Sequence, residues 1–108
     1  MARAQLDGAA IRDWDAFHDL SAAAFGFPAF YGRNMNAWID CLTYVREGDG
    51  MSRFELGPTE PLVIEVFDTK AFNRQAPEIF DAFVDCVASV NQRHAEAGEL
   101  PGLHVIFR

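Results

Sequence analysis

Hydrophobic and polar positions along this chain change rhythm several times, and each change marks an element. RAQLD (residues 3–7) reads as a short strand, closed by the turn signal Asp7-Gly8. Asp13 then has the character of a helix N-cap, with Asp15 in the first turn, where the helix dipole favours a carboxylate. Trp14, Phe17, Ala24 and Phe25 recur at helical spacing and predict one apolar stripe. Gly26 ends that helix and Pro28 stops it resuming. Gly32 and Asn34 turn the chain into a second helix of about three turns, with Asn34 as its cap. Met35, Trp38, Leu42 and Val45 follow the 3-4-3 spacing of a core face.

Residues 46–60 hold three glycines and a proline and predict a long loop or irregular excursion. PLVIEVF (residues 61–67) is apolar at five of its seven positions and bounded by turn residues, as suits a central parallel strand covered on both faces. A short helical turn is expected over residues 68–73. The longest helix is expected to open at Pro77 and stop near Gly98, with Phe80, Phe83, Val84, Val87 and Val90 as its buried stripe. LHVIF (residues 103–107) supplies a last strand. Three strands separated by helices predict an α/β fold, a small three-stranded parallel sheet packed against helices.

The chain has 108 residues, half of them hydrophobic, which suits one domain over residues 1–108 with one core. Sixteen acidic against nine basic residues give a formal charge of −7. That balance argues against nucleic acid and against an anionic membrane surface, and favours a basic protein partner. The amino terminus lacks the apolar run of a signal peptide, and no stretch reaches the length of a membrane span, so a cytoplasmic location with Cys41 and Cys86 as reduced thiols is expected.

Motifs for catalysis are missing. The sequence contains no GxGxxG, no GxxxxGK[ST] and no HExxH. His18, His94 and His104 are scattered, and neither cysteine has a CxxC partner. Asp81 and Asp85 lie four apart on one helix face, where a solvated acidic surface is the expected reading and a hydrolase the least favoured one. No metal and no cofactor are implied.

The stretch PAFYGRNMNAWIDCLT (residues 28–43) is more specific. Pro28, Tyr31, Gly32, Asn34, Ala37, Asp40, Cys41, Leu42 and Thr43, continued upstream through Gly8, Ile11, Arg12 and His18, form a pattern that resembles the barstar family, intracellular inhibitors of secreted ribonucleases. PLVIE resembles the family's central strand, reached after an extra segment. The resemblance implies a three-stranded parallel sheet packed on helices. It also implies that the loop before the second helix, and that helix's outer face, plug a ribonuclease active site.

On that resemblance the decisive carboxylate is Asp40, which would occupy the anion site meant for RNA phosphate; barnase and barstar are themselves a reference case for such charge pairing. Phe30 takes the place of a loop tyrosine, and Gly32 and Asn34 match. Asn36 stands for an acidic residue, Ile39 for an exposed tryptophan, Thr43 closes the motif, and Asp85 is the counterpart of a glutamate on the last helix. Two alternatives stand beside a 1:1 complex with a basic ribonuclease. One is an immunity protein against a different nuclease toxin; the other is a non-inhibitory interaction module on the same fold.

Overall fold

The computed structural model describes residues 2–48 and 50–108; Asp49, within the 46–60 segment, lies outside them. All three expected strands form: β1 (Arg3–Asp7), β2 (Leu62–Phe67) and β3 (Leu103–Phe107). They pair in parallel in the order β1-β2-β3, with Ala4 opposite Ile64 and Ile64 opposite Val105. Four α-helices make the crossovers: α1 (Trp14–Phe25), α2 (Met35–Thr43), α3 (Thr69–Gln75) and α4 (Pro77–Glu96). The result is the α/β architecture that the spacing of strands and helices predicts.

Helix boundaries follow local chemistry. The carboxylate of Asp13 accepts from the Ala16 N–H at 2.8 Å, and Asn34 Oδ1 accepts from the Ala37 N–H at 2.8 Å, so each satisfies an otherwise orphaned donor. Gly26 closes α1 in the left-handed region at φ 66°, which a residue with a Cβ adopts only under strain. Pro77 opens α4 where a missing N–H costs nothing.

A single hydrophobic cluster joins Ala4 and Leu6 of β1, Leu62, Ile64 and Val66 of β2, and Leu103 of β3 to side chains from all four helices. Strand side chains alternate between faces, so the helices pack on one face of the sheet. β2 is buried on both faces, as expected of a central strand, but the core cluster lies on one of them. Val63 and Glu65 point to the other face and stay outside the cluster, although both are buried. Glu65 is shielded by guanidiniums, with Arg3 Nη1 at 3.1 Å from Oε1 and Arg108 Nε at 2.9 Å from Oε2. These bonds, led by that of Arg108, hold the Glu65 carboxyl below the usual carboxylate range.

Two stripes also sit differently from their expectation. On α4 the deepest residues are Ile79, Phe83, Cys86, Val90 and His94, while Val84 is 42% exposed. α4 packs against α2, and its deepest stripe runs through Cys86 and His94 rather than through Val84 and Val87. On α1, Phe17, His18, Ser21 and Phe25 face inward, whereas Trp14 is exposed and stacks on His18 with ring centroids 5.8 Å apart. Ser21 is buried because its hydroxyl accepts the indole N–H of Trp38 at 3.2 Å.

Among its described residues the 46–60 segment has no helix or strand, but it is tied down. The Arg53 N–H donates to the Phe25 carbonyl at 2.8 Å and its Nε to the Ala24 carbonyl at 2.9 Å, which caps the end of α1 with a cation. Leu56 enters the core, and its N–H donates to Val45 at 3.0 Å. Arg46, with a side chain only 4% exposed, donates to the carbonyls of Glu60, Leu100 and Pro101 at 3.1, 2.7 and 3.2 Å. It also donates to His94 Nδ1 at 3.4 Å, while His94 Nε2 donates to the Thr43 carbonyl at 2.9 Å. The His94 ring lies so close to the backbone of Gly102 that any Cβ there would collide with it.

Candidate functional site

The loop before α2 is built by turning one aromatic inward and leaving its neighbour outside. The Tyr31 N–H closes a turn on the Pro28 carbonyl at 2.9 Å, and the Tyr31 ring enters the core. Its hydroxyl shares a 2.7 Å hydrogen bond with His18 Nδ1 of α1. Burial pushes the Tyr31 phenol well above its ordinary value and, with the Arg33 charge, pushes His18 down. Phe30 is left 76% exposed, the most exposed of the large hydrophobic side chains described.

Arg33 then takes the left-handed conformation, φ 54°, which is uncommon for a residue with a side chain. Its guanidinium reaches back to α1, with Nη1 2.8 Å from Asp19 Oδ1 and Nη2 3.3 Å from the Asp15 carbonyl. Asn34 follows as the α2 cap and also donates through Nδ2 to the Gly32 carbonyl at 3.3 Å. A Cβ on Gly32 would make only ordinary contacts, so packing does not require glycine there. Loop and helix are therefore pinned to α1 immediately after Phe30, through Tyr31 and Arg33. Trp14, His18, Arg33, Asn34 and Met35 line a shallow cleft beside this junction.

On α2, Trp38, Cys41 and Leu42 face the core, and Asn36 and Asp40 project outward one turn apart. Ile39 is half-buried against the core rather than standing out like an exposed aromatic, and its side chain walls a groove between α2 and α4. Thr43 donates its hydroxyl to the Ile39 carbonyl at 2.7 Å. Across the groove stand Ser89, Gln92, Arg93 and Glu96 of α4. Arg93 Nη1 donates to Asp40 Oδ1 at 2.8 Å and lies 3.4 Å from Thr43 Oγ1.

The structure thus gathers Ile39, Asp40 and Thr43 around Arg93, with Phe30, Gly32, Asn34 and Asn36 on the loop and first turn that lead into them. Asp85 is exposed on α4 two turns before Arg93, outside the residues that line the groove. Asp81 is exposed on the same helix. Sequence reasoning missed Arg93. Its partner lies 53 positions away, and a basic residue in the last turn of a helix already has a local explanation in the helix dipole.

This surface can present a carboxylate, an exposed aromatic ring and an amide to a partner. Among the described residues no group of three His, Cys, Asp or Glu side chains could hold a metal ion, and no helix is long and apolar enough to cross a membrane. Cys41 and Cys86 are both buried and neither forms a disulfide. Comparison with known families matches residues 1–105 to the family described as Barstar (barnase inhibitor). No curated protein matches the chain.

Proposed function

The chain belongs to the barstar family, and on that premise we propose that it binds a basic ribonuclease and blocks its active site without catalysing a reaction of its own. The loop and helix over residues 28–43 act as the plug, and Asp40 occupies the place of an RNA phosphate. Phe30, Gly32, Asn34, Asn36, Ile39 and Thr43 shape the rest of the contact, and Asp85 contributes from its margin.

The observation that carries this reading is the state of Asp40. Its carboxylate is 53% exposed on the outer face of a helix whose approach loop is tethered to α1 immediately after Phe30. A ribonuclease active site gathers cations to hold phosphate, and a fixed carboxylate makes short, charge-assisted hydrogen bonds to such cations. Preorganisation matters because ordering a flexible loop on binding would subtract from affinity. The net charge of −7 draws a basic partner in.

Titration of barnase with the purified chain in an RNA-cleavage assay tests this reading. Activity should fall linearly to zero at a 1:1 ratio, and the chain alone should not cleave RNA. Undiminished cleavage at a large excess of the chain would reject barnase-type inhibition.

A further inference from the structure

On the reading that this face binds a nuclease, we propose that Arg93 is a positioning residue of the site. It grips Asp40 by one carboxylate oxygen and so presents the other to a cation of the partner. The geometry is specific to one oxygen: Arg93 Nη1 donates to Oδ1 at 2.8 Å, and no donor among the described residues bonds to Oδ2. Arg93 is steadied in turn by Thr43 Oγ1, which is itself anchored on the Ile39 carbonyl.

The same molecule contains the completed form of this arrangement. Glu65 takes Arg3 on Oε1 and Arg108 on Oε2, one guanidinium for each oxygen. A carboxylate has lone pairs on both oxygens, and its negative charge between two cations offsets their mutual repulsion. Asp40 with Arg93 is the first half of that arrangement. A guanidinium or ammonium that holds phosphate in the nuclease supplies the second half. A lone, exposed aspartate would sample several rotamers and lose them on binding; Arg93 removes that freedom beforehand.

Two effects of opposite sign follow. With Asp40 present, Arg93 favours binding by fixing the carboxylate. With Asp40 absent, the same guanidinium becomes a bare cation facing a cationic site and opposes binding. A double-mutant cycle separates these effects from a general change in the fold.

Dissociation constants for barnase would be measured at low salt for the wild-type chain, Asp40→Ala, Arg93→Ala and the double variant. Arg93→Ala should weaken binding by about tenfold when Asp40 is present and tighten it in the Asp40→Ala background. Arg93→Lys, which keeps a charged donor, should recover part of the loss. Tighter binding by Arg93→Ala with Asp40 in place would make Arg93 a competitor and overturn the proposal. Equal effects in both backgrounds would also overturn it, because Arg93 would then act independently of Asp40. If none of the proteins binds barnase, the inhibitor reading falls and this inference with it, whereas binding with the wrong sign removes the inference alone.

Discussion

His18 Nδ1 and the Tyr31 hydroxyl lie 2.7 Å apart beneath the loop that carries Phe30, and Trp14 stacks on the imidazole. Burial, then the Arg33 charge, holds the His18 pKa below its ordinary value of 6.5, while Asp15 and Asp19 act more weakly in the opposite direction. As pH falls the unfolded chain therefore takes up this proton first. The stability that neutral His18 contributes is fully present above about pH 6.5 and is lost as pH falls through the folded-state value. Urea unfolding followed from pH 8 to pH 5 should show that loss, and His18→Gln should flatten the curve. Glu65, held below its ordinary value of 4.5, should add a separate loss only at lower pH, so the two windows can be resolved.

Asp40→Ala should be the most damaging single alanine substitution for nuclease binding, costing at least about 2 kcal/mol, the general threshold for a hot spot, of which the family's type member is itself a reference case. Stability should change by less than about 1 kcal/mol, because the pair with Arg93 is solvent-exposed. Calorimetric titration against barnase together with thermal melting separates the two quantities. Normal binding by Asp40→Ala would place the contact elsewhere.

Asn36→Asp should shift specificity towards nucleases with strongly cationic sites. Asn36 lies one turn from Asp40 on the outer face and offers a donor where aspartate would offer charge. It is also the second residue of α2, so the new carboxylate should stabilise the helix by about 0.3 to 1 kcal/mol through the dipole. Melting reads the second effect without a partner. Dissociation constants for barnase and for a nuclease captured by the wild-type chain read the first, and equal changes for both would place Asn36 outside the interface.

Association with a basic nuclease should slow steeply as salt rises, since the Debye length contracts from about 30 Å at 0.01 M to about 10 Å at 0.1 M. Dissociation should change much less. Stopped-flow association rates that stay flat across this range would contradict steering by the acidic surface.

Arg46→Ala should destabilise the fold by about 3 kcal/mol, because it strips a charged donor from three carbonyls at once. Arg46→Lys should recover only part of this, since one ammonium cannot match a planar fork of donors. Chemical denaturation gives both values. A loss below about 1 kcal/mol would mean that water replaces the guanidinium.

What the sequence made legible was local. Asp13, Asn34, Gly26 and Pro77 mark helix ends through groups a few residues away, and β2 stands out as a short apolar run between turns. Features that depend on distant partners did not show. Ser21 looks like an interruption of an apolar stripe until Trp38 is placed against it. Glu65 interrupts a strand, and its two counter-charges come from Arg3 on β1 and from Arg108 just past β3. Arg46 sits among loop residues, yet it joins three separate stretches of chain. On α4, hydrophobicity could not rank Val84 against His94, because the buried histidine is accommodated by a carbonyl on α2 and by the absence of a side chain on Gly102.

The parallel sheet has a consequence for how the molecule comes into being. Arg3 pairs with Val63 and Leu62 with Leu103, so no strand has a partner nearby in sequence. Closing such long loops costs chain entropy before any contact repays it, which slows folding relative to a fold built from local contacts. During synthesis β1 leaves the ribosome without a strand to pair with, and β2 gains its second neighbour only when β3 follows. The centre of the sheet, Glu65 included, is completed last. The last strand to emerge is therefore the one that closes the open edge of β2 and brings Arg108 against Glu65.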